Sequence, residues 1–443
     1  MTVTSASADE RSRPSEPGRG RGGLLARLSR LEDVDRDAER SRRFYLRFAV
    51  WFPLAVFAVS RLYVLVAGVI LAKNQIPLPI GTANIRIFYP TPADPGYLAA
   101  MTNWDGQWYR VIAEQGYPAV LPRAGWGGID MNPWAFFPVF PLLVGAVMTV
   151  TGLPFIVVGP LLSTLIGFVA MYLLFRLVDR AVGRWEAIVA VVATCFYIAS
   201  PVFSASYTES LALLVVTTCL LLLRARRYGW LVLALLVLSL SRNVVIAMAP
   251  AIIAHAAIRW RQGDEGSNPV RLRLGMLAMA GYAGALTFLW PTIVTIATQT
   301  PNAYNETMLA WNIQTKVKLY MWWNLLYLYA GVLGQVLGVL AVAAFAWFML
   351  SRHSWRWGPE IWGWAGAYPA YIILVTSTTP SRIRYALLAF PFTLVIAWFL
   401  KLPWIARWRW LLLGLIVLVG AVQMWWWLEN YLLIENLTDD LYP

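Results

Sequence analysis

Long apolar runs recur along almost the whole chain, and they constrain its fold more than any other feature. The first run, residues 48–72, has 25 residues, which is enough to cross the ~30 Å hydrocarbon core of a bilayer as a helix. Further runs follow near residues 155–177, 185–202, 209–223, 229–241, 243–258, 274–297, 321–350, 359–376, 385–400 and 409–428. The sequence therefore predicts an all-α polytopic membrane protein with about eleven transmembrane helices.

The composition agrees with a chain that is solvated by lipid. Hydrophobic residues make up 59% of the chain and charged residues only 13%, whereas soluble domains carry roughly 25% charged residues. This balance excludes an ordinary soluble enzyme. The net charge of +13 is spread in short clusters between apolar runs, so we interpret the basic residues as topology signals and expect no nucleic-acid partner.

The basic clusters also predict the orientation of the chain. Clusters at 176–184, 224–227, 259–273, 352–356 and 401–409 all fall on the cytoplasmic side if the N-terminus is cytoplasmic. This arrangement requires that residues 136–152, a 17-residue segment interrupted by Pro138 and Pro141, do not cross the membrane. We therefore predict a multi-pass protein of the cell membrane with a cytoplasmic N-terminus.

Three parts of the chain can be separated. Residues 1–43 are polar and rich in Gly, Pro, Ser and Arg, which predicts a largely disordered cytoplasmic tail that ends in a short helix. Residues 44–430 form the transmembrane domain, which includes a first outer loop, residues 73–152, with interfacial helices. Residues 431–443 form an outer C-terminal tail. The first apolar run is longer than the core of a signal peptide, so it is expected to remain as an anchor.

Asp105 is the strongest candidate for a catalytic residue. The outer side of the predicted topology offers no histidine, so a general base there must be one of a few carboxylates. Asp105 lies near the start of a short amphipathic helix, in which Trp104, Trp108 and Ile112 share one face. We expect this face to lie in the lipid headgroups and to hold Asp105 at the membrane surface. The alternative is that Asp105 only caps the helix.

Two further outer carboxylates are weaker candidates. Glu209, close to Tyr207, begins an apolar run, but Ser206 and Glu209 also have the spacing of a helix capping box. Asp130 lies in a Gly- and Pro-containing loop, where a solvated turn is the alternative. A divalent metal could bind if Asp105, Asp130 and Glu209 converge; otherwise no metal and no other cofactor is expected, since the sequence has no His or Cys metal pattern.

Several cations stand out by their position. Arg61 is 13 residues from Phe48, about 20 Å along a helix, so it lies inside the membrane, where a charge needs a partner or a water-filled cavity. Arg242 lies in a break between two short runs. Arg382 and Arg384 lie on the outer side against the positive-inside trend, with snorkelling to lipid phosphates as the alternative. A carboxylate surrounded by cations suits chemistry on a lipid-linked phosphate.

Three motifs resemble those of one family. They are Trp104-Asp105-Gly106-Gln107-Trp108-Tyr109, Ala135-Phe136-Phe137-Pro138-Val139-Phe140-Pro141 and Tyr207-Thr208-Glu209-Ser210. Together they resemble the PIG-V-like mannosyltransferases of the GT-C superfamily, most strongly over residues 100–245. The resemblance implies a polytopic enzyme that takes mannose from a polyprenyl-phosphate carrier at the outer membrane face, with inversion at the sugar.

The resemblance also implies roles for residues. It places the catalytic general base at Asp105, and Glu209 and Arg242 near the donor cavity. The other candidates for binding the donor or the acceptor are Arg61, Arg382, Arg384, Tyr207, Asp130 and Trp104, although Trp104 and Trp108 fit interfacial anchors better. The implied partners are a lipid-linked sugar donor, a hydroxyl acceptor and membrane lipid. Two alternatives stay open: a non-enzymatic lipid-phosphate flippase, and a related enzyme that uses another lipid-linked sugar.

Overall fold

The computed structural model describes residues 22–80, 88–125, 127–264, 268–311, 319–376 and 381–435, and only the backbone of 22–46 and 319. Within these ranges the chain forms helices, with two isolated β-bridges and no strand. The contacts divide the chain into two units, Met1–Trp51 and Phe52–Pro443. The candidate site lies wholly in the second unit. Residues 1–21 of the predicted tail and residues 436–443 of the predicted C-terminal tail lie outside the described residues.

Eighteen α-helices follow one another along the described part of the chain. The first nine are α1 (Gly22–Leu71), α2 (Gly96–Ala100), α3 (Asp105–Gln115), α4 (Val139–Thr151), α5 (Phe155–Ala181), α6 (Arg184–Cys195), α7 (Glu209–Arg224), α8 (Tyr228–Ser239) and α9 (Met248–Arg261). The others are α10 (Pro269–Ala285), α11 (Leu289–Thr298), α12 (Ala303–Ala310), α13 (Leu319–Leu350), α14 (Arg352–Trp355), α15 (Pro359–Val375), α16 (Arg382–Tyr385), α17 (Phe392–Phe399) and α18 (Arg409–Trp427). Short 3₁₀ turns, such as Ser200–Ser204, join several of them.

Within the described part of the chain, five helical segments are long and apolar enough to cross a membrane. They are Arg47–Asn74, Phe155–Ala181, Pro269–Thr298, Tyr320–Leu350 and Ala406–Leu432. The pair α16 and α17, bent by 65°, makes a sixth only if it counts as one span. The helices α6 to α9 and α15 have 12 to 17 residues, or about 18–26 Å. The all-helical prediction is confirmed, and the number of eleven spans stays a prediction.

The helix that carries the first apolar run begins within the predicted tail. α1 extends from Gly22 to Leu71, so the helix that the sequence predicted at the end of the tail, from Leu24, belongs to the same helix as the first apolar run.

The first outer loop contains α2, α3 and α4, and α3 and α4 pack on each other and on α5. α4 has 13 residues, or about 20 Å, close to the length of α6 and α8, which have 12 residues each. The non-crossing path of residues 136–152 stays a prediction.

The apolar face of α3 lies inside the protein. Trp108 and Ile112 are only 5% and 2% exposed. The Trp108 ring packs against Phe88, Phe136 and Trp311, at centroid distances of 4.5, 5.7 and 4.8 Å. The predicted headgroup location of this face is therefore wrong, because aromatic rings from three other segments supply an internal surface for it.

α13 is broken at Ala330 and Gly331, and Gly331 has a φ of +57°. Across this break the helix folds back on itself: the side-chain nitrogen of Gln335 donates to the carbonyl of Trp323 at 3.3 Å, whereas twelve residues of straight helix would separate them by about 18 Å. We call residues 320–330 the aromatic arm.

The aromatic arm depends on small residues after the break. A Cβ on Gly334 would overlap the carbonyl oxygen of Leu326, so Gly334→Ala is expected to lower the free energy of unfolding by about 1–3 kcal/mol. Gly414→Ala in α18 is the matched control, because a Cβ there meets nothing within 4 Å and should stabilise the helix slightly. Thermal unfolding in detergent compares the two variants. Equal midpoints would show that the arm does not need close packing.

A buried polar cluster joins α7, α8, α9 and α15. Nδ1 of His255 lies 2.6 Å from Oε1 of Glu360, and Nε2 of His255 lies 3.1 Å from the hydroxyl of Tyr228. Arg224 donates to Oε2 of Glu360 at 3.4 Å, and Arg259 donates to the Tyr228 hydroxyl at 2.7 Å. These bonds satisfy the polar groups of one another, so the cluster holds the ends of four helices together.

Candidate active site

Asp105 is the first residue of α3, and the backbone before it is held from two sides. Trp104 has a φ of 58° and a ψ of −115°, a conformation that costs a bulky residue roughly 1–3 kcal/mol. The indole nitrogen of Trp104 donates to the carbonyl of Leu432 at 3.0 Å. The Asn103 amide donates to the same carbonyl at 3.1 Å and to Oε1 of Gln75 at 2.8 Å. These bonds fix the direction in which Asp105 leaves the backbone.

Four charged side chains meet at this point, and we call them the four-charge cluster. Nη2 of Arg384 lies 2.5 Å from Oδ2 of Asp105, and Nη1 of Arg384 lies 2.9 Å from Oε1 of Glu209. Nη1 of Arg242 lies 2.8 Å from the same oxygen of Glu209. Because two carboxylates balance two guanidinium groups, the cluster can be buried without a net formal charge.

Both carboxylates of the four-charge cluster occupy the first turn of a helix. Asp105 begins α3 and Glu209 begins α7, where the partial positive charge of the helix N-terminus stabilises an anion. The capping box suggested by Ser206 and Glu209 does not form, since the Ser206 hydroxyl and Oε2 of Glu209 are buried without a partner in the described part of the chain. The carboxylate of Asp105 likewise binds Arg384 instead of a backbone amide. The capping alternatives are therefore not supported.

Two tyrosine rings orient the arginines. Arg242 and Arg384 lie 4.5 and 5.2 Å from the centre of the Tyr385 ring, and Arg384 lies 5.0 Å from that of Tyr207. These cation–π contacts stabilise the charged groups away from water. The Tyr207 hydroxyl also donates to the carbonyl of Asn103 at 3.2 Å. The sequence analysis proposed Tyr207 as a site residue but did not propose Tyr385. The position of Tyr385 directly after Arg384 in the sequence could have indicated it.

The cluster keeps unused hydrogen-bonding capacity. Oδ1 of Asp105 accepts no hydrogen bond from the described residues, and the side chain is 21% exposed. Nε and Nη2 of Arg242 donate to none of them either, and that side chain is 14% exposed. A free acceptor oxygen and free N–H donors therefore belong to one connected set of charges.

Burial raises the pKa of Asp105 above its ordinary value, against the lowering effect of Arg384, and the negative charge of Glu209 raises it further. A carboxylate with a raised pKa is a stronger base than a solvated aspartate. The site can thus accept a proton at Asp105 and bind an anion at Arg242.

Arg382 and Arg61 lie apart from the four-charge cluster. The Arg382 guanidinium lies 4.4 Å from the centre of the Trp322 ring in the aromatic arm. Arg61 is buried in α1 and donates to the carbonyl of Ser200 at 2.7 Å. Of the four predicted phosphate-binding arginines, the structure brings Arg242 and Arg384 together with Asp105.

Asp130 lies in a local turn. Its Oδ1 accepts the backbone N–H of Met131 at 2.8 Å, as the turn alternative predicted. In the described part of the chain no group of three or more His, Cys, Asp or Glu side chains is placed to hold a metal ion. The convergence of Asp105, Asp130 and Glu209 that a metal site would need is therefore not found.

Comparison with known proteins adds no family to this picture. No protein-family model matches the chain, and no curated protein matches it. The likeness to PIG-V-like mannosyltransferases remains a resemblance of motifs, and the site is interpreted from its own geometry.

Proposed function

We propose that this chain is an inverting glycosyltransferase of the GT-C type. It would move mannose from polyprenyl-phosphate-mannose to the hydroxyl of a glycolipid, a lipoglycan or a protein. The observation that carries the proposal is the free oxygen of Asp105 beside the free N–H groups of Arg242 in one charge cluster. The proposal includes about eleven spans, residues 44–430 as the catalytic domain, a cytoplasmic N-terminus and a site at the outer face of the cell membrane.

The proposed reaction needs one base and one anion-binding group. Oδ1 of Asp105 takes the proton of the acceptor hydroxyl while its oxygen attacks the anomeric carbon from the face opposite the phosphate. The bond from that carbon to the phosphate oxygen breaks, and its electron pair leaves with the polyprenyl phosphate. Arg242 donates hydrogen bonds to the departing phosphate. Arg384 positions Asp105 and Glu209, and Glu209 in turn positions Arg242.

The direct test is transfer of radiolabelled mannose. Purified protein is mixed with labelled polyprenyl-phosphate-mannose and a membrane lipid extract, and the extract is separated after incubation. We expect label to leave the carrier and to appear in a new product. Transfer from a carrier of another sugar instead would change the assigned donor, and no transfer from any lipid-linked sugar would contradict the glycosyltransferase.

A lipid-phosphate flippase is the second candidate, because two of its structural features are present. α13 is broken at Gly331, and α16 and α17 are bent by 65°; interrupted helices are typical of transporters. Reconstituted protein with a fluorescent polyprenyl phosphate separates the two functions. Movement of the lipid between leaflets without sugar transfer, equal in wild type and Asp105→Asn, would favour the flippase.

The pH profile of transfer follows from the raised pKa of Asp105. The ionised carboxylate is the active form, so kcat/KM should fall as the pH drops through the Asp105 pKa, above the ordinary aspartate value of about 3.9. Glu209→Gln removes a negative charge that raises this pKa, so the acid limb should move to lower pH. Rates measured from about pH 4, close to the ordinary aspartate pKa, up to about pH 8 test both statements. An acid limb that Glu209→Gln leaves in place would argue against Asp105 as the titrating base.

A further inference from the structure

Arg61 is a buried arginine outside the four-charge cluster, and it lines a separate cavity. Arg61 lines a cavity of about 640 Å³ between α1, α2 and α5, a volume typical of small-molecule and cofactor sites. The arginine is ten residues before the end of α1, or about 15 Å along the helix. The other residues that shape the cavity include Leu62, Leu65, Tyr97, Leu161, Thr164 and Ser204.

The charge of Arg61 is not matched by a carboxylate. Within the described part of the chain, its donors reach only neutral acceptors: the carbonyl of Ser200 at 2.7 Å and that of Cys195 at 3.5 Å, and three serine hydroxyls. The hydroxyl contacts are 3.1 Å to Ser200, 3.2 Å to Ser204 and 3.3 Å to Ser60. Charge-assisted bonds to phosphate or carboxylate are shorter, about 2.7–2.9 Å. A phosphate oxygen that replaced one of these serine hydroxyls would therefore form a shorter and stronger hydrogen bond with Arg61.

The walls of the cavity continue into an exposed apolar surface. Leu62, Leu65 and Leu161 line it and are 61%, 41% and 50% exposed, on two helices that are long and apolar enough to span a membrane. A ligand that fits must place an anion beside Arg61 and hydrocarbon against these leucines. An unmatched cation inside the membrane favours such an anion strongly.

We propose that this cavity binds one anionic phospholipid, with its phosphate beside Arg61 and its acyl chains along Leu62, Leu65 and Leu161. The site is separate from the four-charge cluster and does not depend on the proposed sugar transfer. The bound lipid would neutralise Arg61 and cover the opening between α1 and α5.

The test is native mass spectrometry of the full chain in neutral detergent, with phosphatidylglycerol or phosphatidylcholine added. Wild type should retain one phosphatidylglycerol and much less of the zwitterionic lipid. Arg61→Gln should bind phosphatidylglycerol at least about tenfold more weakly, as expected for loss of hydrogen bonds to a charged group. Lys73→Gln, which removes an exposed cation just after α1, is the matched control and should bind as wild type does.

A second variant keeps the test decisive if Arg61→Gln fails to fold. Leu65→Trp leaves the arginine in place and fills the mouth of the cavity, so it should also lose the retained lipid. Retention of phosphatidylglycerol by Leu65→Trp, or equal retention of both lipids by wild type, would overturn the proposal. Displacement of phosphatidylglycerol by polyprenyl phosphate would also overturn it, because the cavity would then belong to the donor site.

Discussion

The Asp105→Asn variant is expected to remain folded, with a lower free energy of unfolding because Arg384 loses one of its two carboxylate partners, and to lose sugar transfer by a factor of about 10²–10⁴, the usual contribution of a positioned general base. Asparagine has the size of aspartate and keeps a carbonyl oxygen that can accept from Arg384, so the shape of the four-charge cluster should persist. It cannot take the proton of the acceptor hydroxyl. Initial rates with labelled donor, together with thermal unfolding, separate the chemical effect from a folding defect.

Glu114→Gln is the matched control for this prediction. Glu114 lies on the same helix as Asp105, near its other end, where it is partly exposed and paired with Arg110 at 2.9 Å. An exposed pair of this kind contributes little to stability, so the variant should keep its activity. Wild-type turnover by Asp105→Asn, or an equal loss in Glu114→Gln, would remove Asp105 from the role of base.

The helices could be predicted from the sequence because apolar runs report where a chain meets lipid. The residues at which some helices end, and the breaks within them, could not be predicted in this way. The run at residues 321–350 has the length of a single span, yet it contains the fold-back at Gly331. That reversal depends on a contact between Leu326 and Gly334, and hydropathy does not carry such pair information. α6 also ends at Cys195, inside the apolar run at residues 185–202, where hydropathy stays high.

The members of the site could be predicted one by one, but not as a group. Asp105 and Arg384 are 279 residues apart in the chain, and only tertiary packing brings them together. Arg382 and Arg384 gave the same sequence signal. They differ by two positions, or about 200° around a helix, so one contacts Trp322 and the other contacts Glu209. The sequence showed which residue types were unusual, and the helix rotation decided their roles.

Arg384→Gln is expected to cause the largest loss of stability among single changes at the site. Arg384 is only 6% exposed and joins Asp105 to Glu209. Its loss leaves two carboxylates with one guanidinium, and removal of one partner from a buried ion pair costs about 3–5 kcal/mol. The free energy of unfolding, measured with denaturant in detergent, should fall by that amount. Transfer should be lost as well, because Asp105 is no longer positioned.

A second change tests whether this loss arises from unmatched charge. Asp105→Asn combined with Arg384→Gln removes one charge of each sign, so the double variant should recover part of the lost unfolding free energy while it remains inactive. Arg382→Gln, two residues away, removes a cation that lies outside the four-charge cluster and stacks on Trp322, so it should cost less than Arg384→Gln. If Arg384→Gln cost no more than Arg382→Gln, or if the double variant were less stable than Arg384→Gln alone, then charge balance would not be what holds Asp105 in place. The base would in that case be positioned by the backbone before α3, where Trp104 and Asn103 are bound to Leu432.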